Sequence, residues 1–162
     1  MKEKNPKFLT EDSEEWLEWS EKKLAIMLYP NITRSWNESW ECFAYANDVT
    51  SWPLYHRLLV RVAGPIGMLF ANGKIKKKYN IQDERKELKE TLHTWTNALN
   101  QHPTNKFLHG DEVSFPDVVV YGVLRSVKDF STFREIMADN SRLKKWYDDV
   151  DKAVVSHEVC RI

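Results

Sequence analysis

Apolar residues recur along this chain at the three- and four-residue spacings of helices, and scarcely anywhere at the alternation of strands. The clearest stripe is Leu88, Leu92, Trp95 and Leu99. It predicts a helix from about Gln82 or Asp83 to Gln101, ended by His102-Pro103-Thr104-Asn105. Trp16, Leu17, Trp19, Leu24, Met27 and Leu28 predict a first helix from about Asp12 to Tyr29, stopping at Pro30-Asn31. Glu14, Glu15 and Glu18 load its first turns, at the positive end of the helix dipole. Ser35, with Glu38 three residues on, reads as a capping box that opens a second helix running to about Val49. From Pro53 onward Leu58, Leu59, Val62, Ile66, Leu69 and Phe70 predict a third, with a kink or break at Gly64-Pro65. Phe133, Ile136 and Met137 mark a short helical segment from Thr132 to Ala138. Leu143, Trp146, Tyr147, Val150 and Val154 mark a last helix, capped at Asn140-Ser141 and ending near His157.

The stretch from Phe107 to Val127 organises the rest. Ser114 and Asp117 have the spacing of a capping box, with Asp in place of the usual Glu or Gln. Pro116 falls in the first turn, where a missing N–H costs little. Val113 and Val118 flank the cap as a hydrophobic staple would. No charged residue lies between Asp117 and Arg125. A helix apolar on all sides is buried on all sides, so this is predicted to be the central helix. Val118-Val119-Val120-Tyr121 would also suit a buried strand. The cap, the first-turn proline and the lack of other strand-like runs favour helix. Asp117 is read as structural, and Asp117→Ala is expected to cost ~1 kcal/mol or somewhat more.

Composition narrows the class. At 162 residues with seven Trp, six Tyr and seven Phe, the chain can bury one sizeable core. The expected organisation is a linker or tail over 1–11 and one all-α domain over 12–158. Lys+Arg and Asp+Glu are both 24, so net charge gives no reason to expect nucleic acid as a partner. The two cysteines, Cys42 and Cys160, form no paired motif and suit a reducing compartment. The charged N-terminus is not a secretory signal. The sequons at Asn31 and Asn37 are therefore read as chance matches. Within the mid-chain helix the longest uncharged run, Val62 to Gly73, has 12 residues, short of the ~20 that a membrane span needs.

Little in the residues points to chemistry. None of His56, His93, His102, His109 and His157 pairs at helical zinc spacing, so no metal site is expected. Single-His haem ligation has no supporting feature. No nucleophile elbow and no phosphate-cradling glycine loop is present. Cys42 falls on a Trp- and Phe-rich helix face, as an inert core thiol would. Lys74, Lys76, Lys77 and Lys78 could grip an anion such as a carboxylate, glutathione or a lipid headgroup. Equally, they are what a helix C-terminus carries to complement its dipole.

Phe107-Leu-x-Gly followed by Ser114-x-x-Asp117 and an apolar run resembles the C-terminal domain of glutathione S-transferases. Tyr29 through Arg34, Phe43-x-Tyr45, Ile81-Gln82-Asp83, Val120-Tyr121-Gly122-Val123-Leu124-Arg125 and Trp146-Tyr147 resemble, in order, the type-2 prostaglandin E synthase family. That resemblance spans about Glu15 to His157. It implies an all-α, glutathione S-transferase C-terminal-like bundle that would partner an upstream thioredoxin-like domain carrying a Cys-x-x-Cys site. It further implies isomerisation of prostaglandin H2 to prostaglandin E2, a homodimer, a small lipid substrate, and membrane association on the cytoplasmic side through a segment this chain lacks. Glutathione or haem would bind only in a full-length protein, and none in this chain. Lys74 and Lys78 match arginine positions facing the family's thiol cleft, and so become the candidate substrate-cleft residues. The family carries His-Leu-Ile-Ser before the first helix's proline, where this chain has Ile26, Met27, Leu28 and Tyr29. No residue here is expected to be catalytic, and the chain alone is expected to be inactive. The alternative is a standalone helical module that works by protein–protein contact.

Overall fold

A computed structural model describes residues 8–159, with side chains to residue 155. All the regular elements among these residues are helical. Helix α1, Ser13–Trp19, runs through a π-helical segment, Ser20–Leu24, into α2, Ala25–Ile32. The junction residues Ser20 and Ala25 keep right-handed helical angles, so the three pieces form one rod.

The rod does not stop at Pro30, which lies inside α2. Proline removes one helical donor, and side chains serve the carbonyls around it. Thr33 Oγ1 donates to the Tyr29 carbonyl, and Asn72 Nδ2 to those of Pro30 and Thr33. Asn31 Nδ2 donates to the Met27 and Glu84 carbonyls at 2.8 Å and is fully buried, so this sequon is spent on packing.

The second predicted helix is shorter than expected. Its capping box forms, with Ser35 N donating to Glu38 and Glu38 N donating to Ser35 Oγ. However, α3 covers only Trp36–Glu41, followed by a 3₁₀ turn at Ala44–Asn47. Phe43 leaves the helix path and lays its ring over Gly64, where a Cβ would come within 2.5 Å of it. Helix α4, Leu54–Tyr79, is likewise unbroken at Gly64-Pro65. The glycine admits the Phe43 ring, and Pro65 beside it is buried. With its two interior breakers absorbed by packing, α4 reaches 26 residues and ends on Asn80 in the left-handed conformation. By length and composition it could cross a membrane, which the 12-residue uncharged run had understated. The cause is that Arg61 and Lys74 bound that run without ending the helix.

Asp83 caps α5, Glu84–Asn100, by accepting from Arg85 N and Lys86 N. The expected stripe is buried, with Trp95 fully so. Helix α6, Phe115–Arg125, confirms helix over strand. It is not buried on all sides, however. Val120, Tyr121 and Leu124 face the core, Gly122 is exposed, and Val118, Val119 and Val123 are half-buried. Helix α7, Ser131–Asp139, begins where Ser131 N and Oγ both donate to Glu41. Helix α8, Ser141–Val159, is capped by Asn140 through Leu143 N.

The core lies between the α1–α2 rod, α5, α6 and α8. Four tryptophans form its spine: Trp16 packs edge-on against Trp95 at 4.8 Å, Trp19 stacks on Trp95, and Trp95 meets Trp146 at 5.1 Å. Such aromatic pairs add ~0.5–1.5 kcal/mol each beyond the area they bury. Before the first helix, the Phe8 carbonyl accepts from Phe115 N and the Phe8 ring packs edge-on against Phe115. Residues 1–7 and Cys160 lie outside the described residues.

Candidate functional site

The head of α6 has the most concentrated polar chemistry in the core. Asp117 is fully buried. Its Oδ2 accepts from Ser114 N at 3.0 Å and Ser114 Oγ at 2.5 Å. Its Oδ1 accepts from Leu108 N at 3.1 Å and Trp146 Nε1 at 2.8 Å. The sequence located the Ser114–Asp117 pair. It missed the other two donors, which join the preceding loop and α8 to the same carboxylate. All four donors belong to the fold, and the carboxylate lines no described cleft, so this is a structural hub rather than a reacting group.

The motif Val120-Tyr121-Gly122-Val123-Leu124-Arg125 has a similar use. Tyr121 donates to Asp151, and Arg125 reaches both groups, tying α6 to α8. Burial, reinforced by the Asp151 carboxylate, pushes the Tyr121 phenol up to about 12. A further network, unmarked in the sequence beyond its capping box, is centred on Glu38. This buried carboxylate pairs with Arg34 at 3.2 Å and Arg85 at 3.3 Å, and Arg85 also meets Glu135 at 3.0 Å.

Cys42 donates weakly to the Ile32 and Glu38 carbonyls. Burial, with Glu41 and Glu38 nearby, pushes its thiol up to about 11. A nucleophilic cysteine needs the opposite shift. Among the described residues no group of three or more His, Cys, Asp or Glu is placed to hold a metal ion.

The basic stretch divides in two. Lys76 is half-buried and binds Glu84 at 2.6 Å, joining the end of α4 to the start of α5. Lys74 and Lys78, the candidate cleft residues, lie four apart on the exposed side of α4, with Lys78 over the Tyr79 ring at 5.1 Å. They are not brought together with the clearest cleft, of about 340 Å³, which Asp12, Trp16, Trp19, Gln101, His102 and His109 help to line. There His109 Nε2 lies 3.0 Å from Asp12 Oδ1. Burial raises the Asp12 carboxyl, but hydrogen bonds from Thr10 and Trp16, with His109 beside it, hold it below the usual range.

The sequence profile of the family described as "Glutathione S-transferase, C-terminal domain" matches residues 64–153. The chain is 27% identical over 139 residues to prostaglandin E synthase 2 of Danio rerio, covering 85% of this chain and 36% of that protein. It is 24% identical over 140 residues to prostaglandin E synthase 2 of Mus musculus, covering 86% and 36% respectively. The chain therefore spans about a third of the length of these curated relatives.

Proposed function

The chain belongs to the glutathione S-transferase C-terminal domain family, and from that premise we propose that it is the helical half of a prostaglandin E synthase 2-like protein, one that isomerises prostaglandin H2 to prostaglandin E2. The observation that carries this reading is similarity across 85% of the chain to a relative of that name. In this reading a thioredoxin-like half supplies the reactive thiol, and the helical half supplies a rigid wall of the substrate cleft. Lys74 and Lys78 offer point charges to the substrate carboxylate, weaker in geometry than a bidentate arginine. Glutathione or haem, where either is used, sits against the thiol half. A second copy completes the assembly, on the cytoplasmic side of a membrane.

The character of Cys42 supports the division of labour, because a thiol held near 11 is protonated at neutral pH. The test measures prostaglandin H2 conversion by this chain alone and then with a thioredoxin-like half joined upstream. The expected result is no conversion above a heat-killed control for the chain alone, and thiol-dependent conversion for the joined protein. Conversion by the chain alone, or none by the joined protein, would overturn the proposal.

A further inference from the structure

Helix α4 presents an unusual outer face. On it, Leu54, Tyr55, Leu58, Leu59, Val62, Ile66 and Phe70 fall at helical spacing and are all exposed, Leu54 at 82% and Phe70 at 73%. Contiguous apolar patches of this kind on a single chain mark a surface that something covers. The opposite side of α4 is committed to the bundle: Pro65 and Asn72 are buried, and Asn72 holds the end of the rod. The helix can therefore lie against a surface but cannot leave the fold to span a bilayer.

Charge decides what covers it. The chain has equal numbers of acidic and basic residues, yet α4 contains six basic residues and no Asp or Glu. Arg57 is turned onto the backbone carbonyls of Trp52 and Thr50 at 3.0 Å, Arg61 sits over the Trp40 ring at 4.4 Å, and Lys76 is held by Glu84. Lys74, Lys77 and Lys78 remain exposed at the end of the apolar stripe, in no ion pair among the described residues. Trp52 and Tyr55 at one end and Tyr79 at the other supply exposed amphipathic rings, the residues favoured at the depth of lipid headgroups. A second copy packed α4 to α4 would cover the stripe but offer Lys74, Lys77 and Lys78 no acidic partner on the facing helix. An anionic lipid surface satisfies both the stripe and the lysines.

We infer that the outer face of α4 is a membrane-seating surface, which inserts Leu54 to Phe70 at the headgroup–acyl boundary and sets Lys74, Lys77 and Lys78 against anionic headgroups. The inference shares Lys74 and Lys78 with the proposed cleft, but it is tested on vesicle binding by this chain, a readout that does not depend on prostaglandin H2 conversion by a joined protein. The experiment is co-sedimentation of the full chain with vesicles of phosphatidylcholine, alone or mixed with phosphatidylserine, alongside light scattering without lipid. The wild type is expected to bind the mixed vesicles and to weaken in high salt. L59D/F70D abolishes binding at an unchanged melting temperature, because both side chains already face solvent. K74E/K77E/K78E weakens binding by at least about a hundredfold, at roughly the worth of one surface lysine each. Neither variant changes the oligomeric state. The inference is overturned if the wild type fails to bind, if it binds both vesicles equally, or if either variant binds like the wild type. It is also overturned if L59D/F70D splits a wild-type dimer, which would make the face a contact between copies.

Discussion

Replacing Asp117 with alanine removes one acceptor group from four donors at once, and its cost separates a local helix cap from a tertiary hub. An isolated cap is worth ~1 kcal/mol. Here two of the lost bonds, to Leu108 N and Trp146 Nε1, come from outside the cap and end on a fully buried side chain. Each buried donor left without a partner costs about 1–3 kcal/mol. With the cap added, Asp117→Ala should cost about 3–7 kcal/mol, above the value expected from sequence. That is a large share of the roughly 5–15 kcal/mol that holds a domain folded. Urea unfolding followed by far-UV circular dichroism measures it. At a slope of about 2 kcal/mol per molar urea, the midpoint should fall by about 1.5–3.5 M. Asp117→Asn, which keeps one acceptor oxygen, should lie between. A double-mutant cycle with Trp146→Phe should show coupling of at least about 1 kcal/mol. A loss near 1 kcal/mol for Asp117→Ala, with no coupling to Trp146, would refute the hub.

Two further outcomes follow from the geometry. Because burial holds Cys42 protonated to about pH 11, its alkylation by iodoacetamide in the folded chain should stay far slower than in urea, up to at least pH 9. The raised folded value means that Cys42's contribution to stability is complete below its unfolded value near 9 and is lost as pH climbs from there toward 11. Fast labelling at pH 8 would contradict this. The glycines of α4 should also divide. A Cβ at Gly64 meets the Phe43 ring at 2.5 Å, so Gly64→Ala should destabilise by about 1–3 kcal/mol unless Phe43 is also trimmed. Gly67 has open space at that position, and Gly67→Ala should stabilise by up to ~1 kcal/mol. Equal effects at the two sites in thermal melts would disprove the packing assigned to Phe43.

Elements whose signals are local were legible. The α5 stripe, the Ser35–Glu38 capping box and the Ser114–Asp117 head of α6 each declare themselves within a few residues, because helical spacing and capping are short-range devices. The breakers misled for the same reason. Pro30 and Pro65 were expected to end or bend helices on intrinsic grounds, yet Thr33, Asn31 and Asn72 serve the carbonyls around Pro30, and Gly64 beside Pro65 is filled by Phe43. Asn72 is some 40 positions from the carbonyls it serves, too far for any window to connect. Of the candidate site residues, Ser114 and Asp117 were legible as a pair. Trp146 as a partner 29 positions away, and Asp151 as the partner of Tyr121 30 positions away, were not.

By itself the sequence determined the helical class, the number and rough placement of the long helices, the inert setting of Cys42, and the family resemblance. All of these rest on side-chain periodicity, capping chemistry and residue order, which are properties of neighbours along the chain. Only the tertiary structure decided which face each apolar helix turns inward. Helices α4 and α6 are both rich in apolar residues, but α6 buries Val120, Tyr121 and Leu124 while α4 leaves Leu54, Leu58, Leu59 and Phe70 in the open. The difference arises because α6 is enclosed by helices on more than one side, whereas α4 has neighbours on one side alone. Burial is a property of what surrounds a helix, and hydrophobicity states only what a face would gain by being covered.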